Sequence, residues 1–138
     1  MNAHIQVRDY LLYDPPVIYG HTPLSEATEL LCRHHLTGLP VVDEHKKLIG
    51  FLSEQDCIQK LLGSSYHCDF DVLASDVMRK EVLTASPSES IITLAESMQN
   101  NKPKIYPVVE EGRLIGVNGR TQILTALREQ LKARQVPV

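Results

Sequence analysis

Cysteine is scarce and odd in number. Cys32, Cys57 and Cys68 follow no disulfide-framework spacing, which argues against a stapled secreted domain and for a reduced, cytoplasmic setting. Basic residues are not in excess either. With 14 Lys and Arg against 17 Asp and Glu, and a net charge of −3, the chain lacks the electropositive footprint of a nucleic-acid binder. No apolar run approaches the ~20 residues of a membrane helix, and Met1 to Gln6 lack the basic-then-apolar pattern of a signal peptide. Neither nucleic acid nor a membrane is therefore expected as a partner. The seven glycines are scattered at turns and strand ends, leaving no phosphate-cradling loop. No stretch is of low complexity, and at 43% hydrophobic and 22% charged residues the composition is that of an ordinary globular protein.

What the chain does contain, it contains twice. Leu39-Pro40-Val41-Val42-Asp43 through Leu48-Ile49-Gly50 returns as Tyr106-Pro107-Val108-Val109-Glu110 through Leu114-Ile115-Gly116. Pro40 and Pro107 lie 67 positions apart, as do Asp9 and Asp76, so the duplication begins near the N-terminus. Leu48 and Leu114 are 66 apart, which places one deleted residue in the second hairpin. A chain of 138 residues folded as one unit buries about 70% of its unfolded surface, whereas half that length is marginal. The two copies are accordingly expected to share a core.

The periodicities read β-α-β-β-α in each copy. Pro16 to Tyr19 is a short β-favouring run, and Leu24, Ala27, Leu31 and His34 then share a helical face. Leu39 to Val42 and Leu48 to Leu52 form a hairpin around the polar 43–47 segment, and Cys57, Ile58, Leu61 and Leu62 mark a helix stopped at Gly63. The second copy offers a strand at 82–85, a helix carrying Ile91, Leu94, Ala95 and Met98, two strands around Glu110 to Arg113, and a longer helix with Ile123, Leu124, Leu127 and Leu131. Each copy should be a small mixed three-stranded sheet with helices on one face, the two related by a pseudo-twofold axis: an α/β (α+β) fold. The first repeat is assigned to 7–63, a polar linker to 64–73 and the second repeat to 74–134.

Chemistry-bearing residues are few. Ser53-Glu54-Gln55-Asp56 opens a helix, where a carboxylate can accept from both hydroxyls of a ribose and a serine sits beside free N–H groups that attract phosphate. The same spacing also describes a capping box that needs no ligand. Cys32, His34 and His35 lie within a turn and His67 adjoins Cys68, but neither group has zinc-site spacing, and no metal is expected. Ser53 has no motif-linked histidine and no nucleophile elbow, so acyl transfer has no support and no enzyme is read here.

Taken in order, Val7-Arg8-Asp9-Tyr10-Leu11, Ala74-Ser75-Asp76-Val77-Met78, the paired Pro-Val-Val and Leu-Ile-Gly strands and Ser53-x-x-Asp56 resemble a tandem pair of cystathionine-β-synthase-type (CBS) domains, a Bateman module. The resemblance implies a regulatory module with no required cofactor that binds AMP, ADP, ATP or S-adenosylmethionine in a cleft between the repeats. It also implies a homodimer and a regulated protein partner. In the first cleft it sets Met78, Val82, Leu83, Pro103, Lys104 and Ile105 across from Ser53 and Asp56, with Lys104 as a point charge for phosphate or else a solvated strand-end lysine. A weaker second site would join Leu36, Thr37 and Gly38 to Arg120 and Gln122. There Gly119 and Gln122 stand where the first copy has Ser53 and Asp56, which removes a hydroxyl and a carboxylate. The rival reading is a ligand-free scaffold of the same fold that acts by protein association.

Overall fold

The computed structural model describes residues 5–63, 72–100 and 102–135. The expected linker therefore lies largely outside the described residues, as do His67 and Cys68. The strands are β1 (Leu12–Tyr13), β2 (Ile18–Tyr19), β3 (Gly38–Val42), β4 (Leu48–Ser53), β5 (Ile105–Glu110) and β6 (Arg113–Gly119). The helices are α1 (Leu24–His34), α2 (Glu54–Gly63), α3 (Ala74–Val77), α4 (Ile91–Ser97) and α5 (Arg120–Gln135). A 3-10 turn over Val7–Tyr10 precedes them.

Two compact units result, and their membership is not that of the two copies. Unit A comprises Pro16–Val82 with Gly112–Leu114; unit B comprises Met1–Pro15, Leu83–Glu111 and Ile115–Val138. The Asp9 motif thus belongs to the unit built on the second copy, and the Asp76 motif to the unit built on the first. Both motifs fold alike: Asp9 accepts from the Gln6 N–H at 2.9 Å, and Asp76 from the Leu73 N–H at 2.9 Å, each closing a single helical turn.

In unit A the sheet order is β2-β3-β4, with β2 parallel and β4 antiparallel to β3. Arg79 extends the sheet beyond β4, its N–H and C=O each bonded to Phe51 at 2.9 Å. Unit B repeats the plan. Its order is β1-β6-β5, with β1 antiparallel to β6 (Leu12 beside Val117), and Ala85 bridges in parallel to Val108 on the far side. Mixed sheets with helices are what the sequence pattern called for. Buried side chains, however, group into two clusters, one around Leu39, Val41 and Leu52 and one around Ile91, Leu94 and Val108, where a single shared core was expected. Each sheet with its borrowed motif is enough to enclose its own apolar centre.

Two expected strands are shorter than their apolar runs. Pro15 and Pro16 have no N–H to offer a ladder, so pairing begins only at Ile18. In the 82–85 run only Ala85 is buried and bonded, to Pro107 and Val109, while Leu83 is 53% exposed. The hairpins explain the lost register. Asp43 Oδ1 accepts from the His45 and Lys47 N–H groups at 2.8 and 2.9 Å, with Lys46 at φ 65°, to make a wide turn. The second hairpin closes on Glu111 and Gly112 at φ 53° and 80°, the pattern of a tight two-residue turn. On α1 the buried face is Leu24, Ala27 and Leu31; His34 is exposed at its end, where His35 turns left-handed at φ 53°.

Candidate ligand-binding site

Strand β4 delivers Ser53 to the start of α2, and the register Gly38 to Ser53 sets the beginning of β3 beside it. The Glu54 N–H donates to the Thr37 carbonyl at 2.9 Å, and the Asp56 N–H to Ser53 Oγ at 3.0 Å. Two of the free donors of this helix start are thereby satisfied within the chain, as in a capping arrangement. One turn further, Cys57 anchors the helix in the core, where burial pushes its thiol up to about 11.

Asp56 has a partner that the sequence did not suggest. Arg79 Nε donates to Asp56 Oδ2 at 3.0 Å, and its Nη2 lies 3.4 Å from Oδ1, a forked contact. The carboxylate is largely covered, at 15% side-chain exposure, whereas Arg79 is 64% exposed. Its hydrogen bond to Asp56 raises the guanidinium pKa further, so this cation persists at any working pH. The same position in the first copy, 67 residues earlier, is Leu12. A charge present in only one of two copies was the available signal.

The remaining expected residues fall as follows. Met78 and Val82 are half-buried in unit A with Ser53 and Asp56; Leu83, Pro103, Lys104 and Ile105 belong to unit B. Thr37 and Gly38, which the resemblance groups with Arg120 and Gln122, are in the structure the neighbours of Glu54 and Ser53. In unit B, Gln122 Oε1 accepts from the Gly119 N–H at 2.8 Å, so its amide caps the start of α5. A β carbon on Gly119 would meet Gln122 Oε1 at 3.2 Å and the Lys104 carbonyl and Ile105 Cγ1 at 3.5 Å, which puts the 104–105 strand start against this end of β6. Pro103, Lys104 and Arg120 are exposed, and Leu36 is half-buried. Among the described residues, no group of three or more His, Cys, Asp or Glu side chains could hold a metal ion. No helix among them is long and apolar enough to cross a membrane.

The CBS domain model matches the chain twice, at residues 7–63 and 74–129. The chain belongs to the CBS-domain family. Among solved structures, the CBS-pair protein CBSX2 of Arabidopsis thaliana, crystallised in complex with AMP, is 28% identical over 92% of this chain and 98% of that one, with a TM-score of 0.78. The CBS domain pair of protein MJ0100, in complex with 5′-methylthioadenosine and S-adenosyl-L-methionine, is 27% identical over 91% of this chain and 98% of that one, with a TM-score of 0.70. Inosine-5′-monophosphate dehydrogenase of Bifidobacterium longum is 31% identical over 92% of this chain. This CBS pair spans only 22% of that enzyme, and 41% of a Thermofilum pendens relative that it matches at 30% identity.

Proposed function

We propose that this CBS pair is a regulatory module, not an enzyme, that binds an adenosine-containing ligand through Ser53 and Asp56 at the start of α2. One observation carries the reading. Two relatives more than a quarter identical over nine-tenths of the chain hold adenosine compounds of different charge, AMP in one and 5′-methylthioadenosine with S-adenosylmethionine in the other. Asp56 offers the carboxylate that a ribose diol needs, and Met78 and Val82 supply apolar surface in the same unit. Leu83, Pro103, Lys104 and Ile105 are the further candidates that the family resemblance offers, with Lys104 as a phosphate contact. The start of α5, with Arg120 and Gln122, is the weaker of the two sites, because an amide forms weaker bonds to a ribose than a carboxylate does. The ligand is a signal rather than a cofactor, and the setting is cytoplasmic, acting on a protein partner.

A thermal melting screen of AMP, ADP, ATP, S-adenosylmethionine and NAD tests the reading. Ligand at a hundredfold its Kd contributes ~2.7 kcal/mol, which at roughly 2–4 °C per kcal/mol for a domain of this size is a shift of several degrees. A screen in which no compound moves the transition, with Asp56→Ala melting alike, would falsify it. A second reading, a scaffold without ligand, is favoured by one specific observation: Asp56 is already engaged by Arg79.

A further inference from the structure

Arg79 is the cation that the structure attaches to the one carboxylate read as ribose-binding, and it holds both oxygens of that carboxylate. A ribose diol approaching Asp56 competes with the arginine for those oxygens. The arginine can yield them, because its backbone is fixed to Phe51 by two hydrogen bonds while its side chain is 64% exposed, so water can replace the carboxylate around it. Yielding has a consequence that depends on the ligand. A neutral nucleoside returns hydrogen bonds to Asp56 but leaves the guanidinium without an anion. A nucleotide brings a phosphate that re-pairs it, and Arg suits phosphate by its forked donors.

The start of α2 itself adds little positive potential. At the α2 start the Glu54 and Asp56 N–H groups are already bonded to Thr37 and Ser53, and the first turn carries the acidic Glu54 and Asp56 themselves. We infer that Arg79 is a specificity-determining latch: it closes Asp56 in the free protein and makes the site select phosphate-bearing adenosine compounds over adenosine, 5′-methylthioadenosine and S-adenosylmethionine. The inference rests on the adenosine-site reading above and goes beyond it by naming the ligand class and the residue that sets it.

Calorimetric titration of the full chain with AMP, adenosine and S-adenosylmethionine, for wild type and Arg79→Ala, provides the test. Wild type should bind AMP at least about tenfold more tightly than adenosine or S-adenosylmethionine, the scale of a single charge-assisted hydrogen bond. In Arg79→Ala the AMP-to-adenosine ratio should fall to within about threefold, by weaker AMP binding together with stronger adenosine binding as Asp56 is freed. Coincident circular-dichroism spectra establish that both proteins are folded. Heats of binding with the same AMP-to-adenosine ratio in both proteins overturn the latch but leave the adenosine site standing, and so does wild-type preference for S-adenosylmethionine. Absence of any heat in both proteins removes the site and the latch with it.

Discussion

Gly50 lies under Met78 so closely that a β carbon on it would come 2.4 Å from the sulfur and 2.9 Å from the Arg79 carbonyl. Its counterpart 66 residues on, Gly116, would meet the Leu12 carbonyl at 2.5 Å and Leu11 Cγ at 2.7 Å. Leu11 and Leu12 are in turn the counterparts of Met78 and Arg79. The same close approach of a borrowed strand thus recurs in both units, and only glycine admits it. We expect Gly50→Ala and Gly116→Ala each to lower stability by about 1–3 kcal/mol. Gly116→Ala should cost more, because its nearest obstacle is backbone, whereas a thioether can turn aside. Urea denaturation of both variants checks this; equal stability to wild type in either would mean that the strand is not held so tightly.

Asn118 is wholly buried on β6 at the place where the first copy carries Leu52, also wholly buried. Its Nδ2 makes a long bond of 3.4 Å to the Tyr10 carbonyl, and its Oδ1 has no partner among the described residues. An unpaired buried carbonyl costs roughly 1–3 kcal/mol, against which one long hydrogen bond returns little. Exchanging the two residues should therefore act in opposite senses. Asn118→Leu is expected to leave stability unchanged or raise it by about 1 kcal/mol, while Leu52→Asn is expected to lose about 2–4 kcal/mol through lost burial and a new buried amide. Melting curves of the two single variants decide it, and a loss beyond 1 kcal/mol in Asn118→Leu would assign the amide a polar partner.

Much of this was legible because it is local and repeated. The Pro-Val-Val and Leu-Ile-Gly strands, the α1 face of Leu24, Ala27 and Leu31, and the one-residue hairpin difference all follow from periodicity and turn chemistry within a few residues. The exchange of the Asp9 and Asp76 motifs between units was not legible, since pairing of Leu12 with Val117, or Phe51 with Arg79, leaves no mark on neighbouring sequence. For the same reason Ser53-x-x-Asp56 could be found but its occupant could not. Arg79 stands 23 residues away, in a stretch to which the periodicities assign no element. Apolar spacing on α2 and α5 identified helices without saying which of their faces the chain itself would cover.

The thiol of Cys57 gives stability a dependence on alkaline pH. In the fold its pKa stands at about 11 against an ordinary 9.0, chiefly from burial. Below pH 9 both folded and unfolded chains hold the proton and the full stability is present. Between pH 9 and 11 the unfolded chain ionises first, so stability falls, by up to roughly 2–3 kcal/mol. Tyr106, also raised by burial, acts in the same direction at higher pH. Denaturation midpoints at pH 8 and 10.5 should therefore differ more in wild type than in Cys57→Ala. Identical slopes would show that the thiol is hydrated.

Helix α2 exposes Ile58, Leu61 and Leu62 at 55, 52 and 72%, and α5 exposes Leu124 and Leu131 at 67 and 57%. Ile58 and Leu124 are the same position of the two copies, 66 residues apart, so this outward apolar character is a repeated feature and not a scattered one. Exposed clusters of that kind mark contact surfaces, and a second copy of the chain, which carries the same two faces, is the simplest partner. Burial at about 25 cal/mol per Å² makes each such leucine worth on the order of 1.5–3 kcal/mol at an interface. Light scattering of wild type at micromolar concentration is accordingly expected to give twice 15.5 kDa. The double variant Ile58→Glu, Leu124→Glu should give the single-chain mass with an unchanged circular-dichroism spectrum, because neither side chain belongs to a core cluster. A wild-type chain that stays monomeric would leave these faces to a different protein, in keeping with the scaffold reading.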